Sequence, residues 1–200
     1  MMRFTLPLFA VIMSLVSTQQ SQAELLITMY ESGSDVVVTV SGSIDDLTGT
    51  TLISTQSDTL RNLIRPERSQ VVFGESVTQS YNIYNVGSVP VDFGTTFALD
   101  ASSSTVSSNF LVRNTSGNLF LPTTYVLGTE MSGTATYAGQ SFASLGITPG
   151  TYLWTWTGDS VTLNIGSGPA PVPEPGTWAA AALLAGGAAF MRWRKRAKVS

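Results

Sequence analysis

Three aromatic side chains in the run TYLWTWT, those of Tyr152, Trp154 and Trp156, stand two residues apart. Alternate residues of a strand share a face, so the three rings form one row. On an exposed face such a row stacks on sugar rings, as in a carbohydrate-binding module. On an inward face it is the centre of a hydrophobic core, and this is the stronger reading. Each ring withdrawn from water contributes about 2–3 kcal/mol, and a chain without cysteine has no disulfide to hold it.

Asp45 and Asp46 form an adjacent acid pair ahead of Thr48 and Gly49. Paired carboxylates serve glycosidases, as a secreted glycan-active enzyme would require, and also calcium sites. Neighbours in an extended chain point apart, however, and no D-x-D-x-D-G loop follows, so the pair reads as a solvated loop. Asn114-Thr115-Ser116 fits the glycosylation triplet, a pattern that arises easily in a Ser/Thr-rich chain.

What the chain lacks is equally informative. It has no histidine and no cysteine, which removes the usual general base of hydrolases, the thiol nucleophile and the commonest transition-metal ligands. Between positions 24 and 171 there is no lysine, so a Ser/Lys dyad is excluded there. The sequence therefore predicts a protein that is not an enzyme, with no catalytic residues, no cofactor and no metal site. The same segment carries four arginines against twelve acidic residues, a net of −8. Such a body repels phosphate backbones, which argues against nucleic-acid binding. Its one basic cluster is Arg61, Arg65 and Arg68, diluted by Asp58 and Glu67.

The elements that would position these groups lie between two processed ends. Residues 1–23 read as a secretory signal peptide: Arg3 opens it, an apolar run spans 4–16, and Ser21-Gln22-Ala23 places small residues before Glu24. Signal peptidase is then expected to cut between Ala23 and Glu24. Residues 24–166 are predicted to be all-β, an antiparallel β-sandwich-like exported domain. A hairpin is expected over 25–44 around Ser32-Gly33-Ser34-Asp35. A second joins 77–86 to 89–99 through Gly87-Ser88, with Pro90 at an edge. A further strand runs over 132–138, and a third hairpin joins 151–157 to 161–165 through Gly158-Asp159-Ser160. Only 58–64 and 141–145 could hold a helical turn, and 101–109 reads as a polar, mobile loop.

Residues 167–175 form a Pro-rich linker that ends in Pro173-Glu174-Pro175. Proline fixes its own φ and disfavours helix in the residue before it, so an extended, protease-accessible segment is expected. The uncharged stretch 176–191 is a short transmembrane helix by composition, marginal in length against a hydrocarbon core of about 30 Å. Trp178 and Trp193 bracket it at interfacial positions, and Arg192, Arg194, Lys195 and Arg196 within the basic tail 192–200 hold that end in the cytoplasm. The body is thereby left outside, in agreement with the signal peptide.

This tail, VPEPGTWAAAALLAGGAAFMRWRKR, resembles the PEP-CTERM sorting signal. Pro173, Glu174 and Pro175 match its Pro-Glu-Pro, residues 178–191 its apolar helix, and Arg192, Arg194, Lys195 and Arg196 its basic cluster. The body, with MSGTATY at 131–137 and SFASLGITPGTYLWTW at 141–156, resembles a loosely defined β-rich module of proteins with such tails. The resemblance implies an exosortase-type membrane protease as partner, a stay in the inner membrane in transit, and a final place at the cell surface or in the extracellular matrix. It further implies a link to exopolysaccharide and biofilm. Two alternatives accompany it: a carbohydrate-binding module using the aromatic row, and a permanently anchored membrane protein facing the periplasm.

Overall fold

The structure, a computed structural model, describes residues 24–166 and Gly168. Strands β1 (Leu25–Ser32) and β2 (Asp35–Gly42) form the first hairpin as expected, turning at Gly33 and Ser34. Their burial alternates strictly. Leu25, Ile27 and Met29 point inward with Val36, Val38 and Val40, while Thr28, Tyr30, Val37 and Thr39 are half-buried on the other face. This period of two is what a half-covered antiparallel sheet requires.

β10 (Gly150–Thr155) and β11 (Ser160–Ile165) form the third hairpin, and β9 (Met131–Tyr137) the isolated strand. With β6 (Ser103–Val106) they make a six-stranded sheet in the order β10-β11-β1-β2-β9-β6. All its pairs are antiparallel except one. β1 and β11 run parallel, Leu25 opposite Val161 and Met29 opposite Ile165. The chain thus enters the sheet at one end and leaves it at the other.

The second sheet has five strands in the order β5-β3-β4-β7-β8: β3 (Thr51–Arg65), β4 (Gln70–Asn85), β5 (Leu99–Asp100), β7 (Phe110–Arg113) and β8 (Asn118–Pro122). Here three expectations are corrected. Residues 58–64 lie within β3 rather than in a helical turn, because Leu63 and Ile64 pair with Val72 and Val71 and face opposite ways into two apolar clusters. The hairpin at Gly87-Ser88 does not form. β4 extends back to Gln70 and pairs with β3, whereas residues 89–98 contribute only an isolated bridge, Gly94 to Ile147. Lastly, 101–109 is not one loose loop. Leu99 and Asp100 close the second sheet, the chain crosses, and β6 pairs with β9 of the first.

The main core lies between the sheets. Ile27, Met29, Val38, Tyr137, Trp154 and Leu163 of one meet Ile64, Phe73, Phe110, Val112 and Leu119 of the other. Phe73 stacks on Phe110 with ring centroids 5.5 Å apart. Two facing sheets sharing one core are a β-sandwich, as the sequence predicts. A smaller cluster of Leu60, Leu63, Val72, Tyr81, Ile83, Leu111 and Phe120 occupies the opposite face of the five-stranded sheet.

That face is enclosed because β4 bends. Its residues Val71–Phe73 pair with β7 and its residues Tyr81–Asn85 pair with β8, while β7 and β8 pair with each other. The bend falls where the β3–β4 register slips, around Gly74. A side chain at Gly74 would collide with the Leu60 backbone. Asn62 bridges the irregularity, its amide nitrogen donating to the Gly74 carbonyl at 2.7 Å and its oxygen accepting from the Gly74 N–H at 3.2 Å. All the described strands and both apolar clusters fall within 24–166.

Candidate functional site

Tyr152, Trp154 and Trp156 do share one face, and that face is the inner one. They are 8%, 0% and 8% exposed, whereas Leu153 between them is 43% exposed. Tyr152 packs edge-on against Phe93, at a centroid distance of 5.6 Å, and its hydroxyl donates to the Thr148 carbonyl at 2.9 Å. The Trp156 indole N–H donates to the Asp46 carbonyl at 2.6 Å. Trp154 is enclosed, and its indole nitrogen has no hydrogen-bond partner among the described residues. Rings that offer no face to solvent cannot stack on a sugar, so the possible glycan platform at these three positions is corrected to core.

The acid pair behaves as neighbours in an extended chain do. Asp45 accepts from the Ser43 hydroxyl at 2.6 Å, while Asp46 turns to the Thr48 N–H at 2.7 Å. Hydrogen bonding by Thr48, its hydroxyl first and its backbone second, holds the Asp46 carboxyl below the usual carboxylate range. The carboxylate that meets Asp45 is Asp159, which sequence reading placed only in a hairpin turn. Its Oδ2 accepts from the Asp45 N–H at 2.8 Å and its Oδ1 from the Ser160 N–H at 2.7 Å. Burial pushes Asp159 upward despite these bonds.

These contacts tie the loop after β2 to the turn between β10 and β11. They close further through Gly158, where a side chain would strike Asp46. Among the described residues no group of three His, Cys, Asp or Glu is arranged to hold a metal ion. Asn114, the glycosylation candidate, is half-buried and donates to Asp92 Oδ1 at 2.5 Å.

The ends of the body are defined by its sheet. Glu24 accepts from the Thr162 hydroxyl, which anchors the start of the described chain beside β11. At the far end the Gly166 N–H donates to the Met29 carbonyl at 3.0 Å, and Gly168 lies against the ring of Tyr30. Several expectations fall outside the described residues: the signal peptide with Ala23, the elbow Pro173-Glu174-Pro175, the apolar stretch with Trp178, and the basic group Arg192, Trp193, Arg194, Lys195 and Arg196. No helix among the described residues is long and apolar enough to cross a membrane.

Comparison with known families supplies what the geometry of the body does not. Residues 171–196 match the family described as the PEP-CTERM protein-sorting motif. The motif implies sorting by exosortase, a membrane protein, with export and membrane transit to the cell surface. The comparisons with curated proteins and with solved structures each return no match.

Proposed function

We propose that this PEP-CTERM protein is a non-catalytic surface or extracellular-matrix component, cut from its tail near Pro173-Glu174-Pro175 by an exosortase-type protease and associated with exopolysaccharide in a biofilm. The observation that carries the reading is the motif match over 171–196, which begins only after the last described strand has ended at Ile165. A cut near Pro173 therefore leaves every described strand and both apolar clusters in place. From Gly166 to Pro173 the chain reaches at most about 25 Å, so a tail held in the bilayer keeps the β11 end of the sandwich close to the membrane until cleavage.

The acids support the non-catalytic part. Asp45, Asp46 and Asp159 are each engaged with neighbouring N–H or hydroxyl groups, and Asp159 also joins the two loops by accepting from the Asp45 N–H. No histidine is available to work beside them.

The test is intact mass with C-terminal peptide mapping of protein recovered from native cells and from their medium. Surface protein ending near Pro173 to Pro175 is expected, together with retention of the full tail in cells that lack the protease. Surface protein that still carries Arg192 to Ser200 refutes processing. Confinement of that uncut form to the inner membrane identifies a permanent anchor instead.

A further inference from the structure

The five-stranded sheet holds a group of cations that sorting does not use. In β3, β4 and β7 the alternation of side chains puts Leu63 and Arg65, Gln70 and Val72, and Leu111 and Arg113 on the face turned away from the main core. The pairing lines them up in rows. Leu63, Val72, Leu111 and Phe120 stand side by side across four strands. In the next row Arg65 is opposite Gln70, and Arg113 opposite Asn118. An apolar strip thus runs beside a strip made of two guanidinium groups and two amides, with no carboxylate in it.

The two strips, Asn118 excepted, line a cavity of about 300 Å³ together with Gln56, Asp58 and Arg61 of β3. Its size lies at the lower end of small-molecule sites, enough for a charged group together with one ring. Arg113 lies over the Phe120 ring, 5.3 Å from its centroid. Hydrogen bonding assigns the Asn118 amide the orientation in which its nitrogen donates to the Ser116 carbonyl at 2.8 Å and its oxygen accepts from Arg113 Nη2 at 2.9 Å. The guanidinium is thereby fixed in place while its Nε remains unpartnered.

Unsatisfied polar atoms collect here. Arg65 Nε, Arg113 Nε and Gln70 Oε1 are buried without a hydrogen-bond partner among the described residues. Gln70 is only 5% exposed and lines the cavity. Its amide can rotate to present either donors or an acceptor. Buried polar atoms are ordinarily paired, and orphans concentrated in one cavity mark a missing partner.

The other arginines are engaged differently. Arg61 is paired with Asp100 at 2.6 Å and Arg68 lies 3.7 Å from Glu67, whereas neither Arg65 nor Arg113 has a carboxylate within salt-bridge distance among the described residues. Arg113 is also held below its usual basicity, by burial first and by the nearby Arg68 and Arg65 charges next, which outweigh the opposing pull of Asp58. Like charges brought together in partial burial are costly unless an anion joins them.

We infer that this cavity is an oxyanion-binding site, in which the guanidinium forks of Arg65 and Arg113, with Gln70 beside them, grip a carboxylate, phosphate or sulfate group while the apolar strip receives the ring that carries it. The planar fork suits two-oxygen recognition. The strongly negative body makes this local positive site selective, because an anion is repelled elsewhere on the surface.

Calorimetry on the full-length chain in neutral detergent at low ionic strength tests it, with galacturonate and inorganic phosphate as probes and neutral galactose as control. Saturable binding of galacturonate but not galactose identifies a ring-borne group. Binding of phosphate alone identifies a free anion, and both outcomes support the site. Arg65→Gln and Arg113→Gln are each expected to weaken binding about tenfold or more. Asp58→Asn, which removes the one acid facing the cavity, is expected to tighten it severalfold and is independent of whether the arginine variants fold. Absence of binding to both anions, equal binding of galactose and galacturonate, or affinity unchanged in all three variants overturns the assignment.

Discussion

Trp154→Ala is the perturbation that most directly separates a core from a sugar platform. Trp154 is wholly enclosed. An indole of this kind buries about 200 Å², which at about 25 cal/mol per Å² amounts to about 5 kcal/mol. Part of that is offset already, because the unpartnered indole N–H was desolvated without compensation, at a cost of about 1–3 kcal/mol that the alanine variant recovers. The net loss should therefore be about 3 kcal/mol, at the lower edge of the range for large-to-small aromatic changes. With a urea slope of about 2 kcal/mol per M, the midpoint falls by about 1.5 M.

The assay is urea unfolding of residues 24–166 followed by far-ultraviolet circular dichroism, since the substitution removes an intrinsic fluorophore. Trp154→Phe supplies the internal check. It keeps most of the apolar volume and deletes the orphaned donor, so it should cost less than about 1.5 kcal/mol, as volume-conserving core changes do. Two results would refute the reasoning. One is a loss below about 1 kcal/mol for Trp154→Ala with the native spectrum kept, against the range for a buried aromatic. The other is a Trp154→Phe variant as damaged as Trp154→Ala.

Other expectations follow from the same packing. Gly74→Ala places a methyl group against the Leu60 backbone and should cost about 2 kcal/mol by overpacking, read as a lower urea midpoint. Burial raises the Tyr137 phenol above its ordinary value. In the unfolded chain that group ionises near pH 10, so its contribution is present below that pH and is lost as pH rises further. Tyr137→Phe should flatten this alkaline decline in a series of urea midpoints. For Asp46 the sign reverses: its carboxyl is held low by Thr48, so stability is lost as pH falls through the folded value, and Asp46→Asn should reduce the acid-side slope. A chain ended after Ala170 should melt with the same midpoint as the longer chain, because every described strand lies before that position; a lower midpoint would mean that the tail packs on the body.

The parts of this fold legible in the sequence are those whose partners are close in the chain. The hairpin of β1 with β2 is set by alternation around a short turn, that of β10 with β11 by a short turn after an alternating β10, and the aromatic row is inward because three rings on one face outweigh any local cue. The bent ribbon was not legible. Residues 58–64 carry two Leu and an Ile at helix-compatible spacing, and only the split of Leu63 and Ile64 between two apolar clusters makes them a strand. Nor could β7 and β8 be read, since each is short and its partner in β4 lies tens of residues away. Asp159 escaped for the same reason, its contact with Asp45 spanning the whole body. The sorting tail is legible because its information is linear, an ordered string of residue types that needs no tertiary partner.

The parallel pairing of β1 with β11 gives these two kinds of information a common consequence. In an antiparallel pair the entry to β1 and the exit from β11 would lie side by side. Here Leu25 is opposite Val161 and the exit follows Ile165, so entry and exit are separated by the length of the strands. Four residues at about 3.3 Å each make that at least about 13 Å. Glu24 is tied to Thr162 at one end, and Gly166 to Met29 at the other. A body held near a membrane through its β11 end therefore presents its first residue at the opposite end. Each end is secured by a contact of its own, and a cut beyond Gly166 leaves both in place.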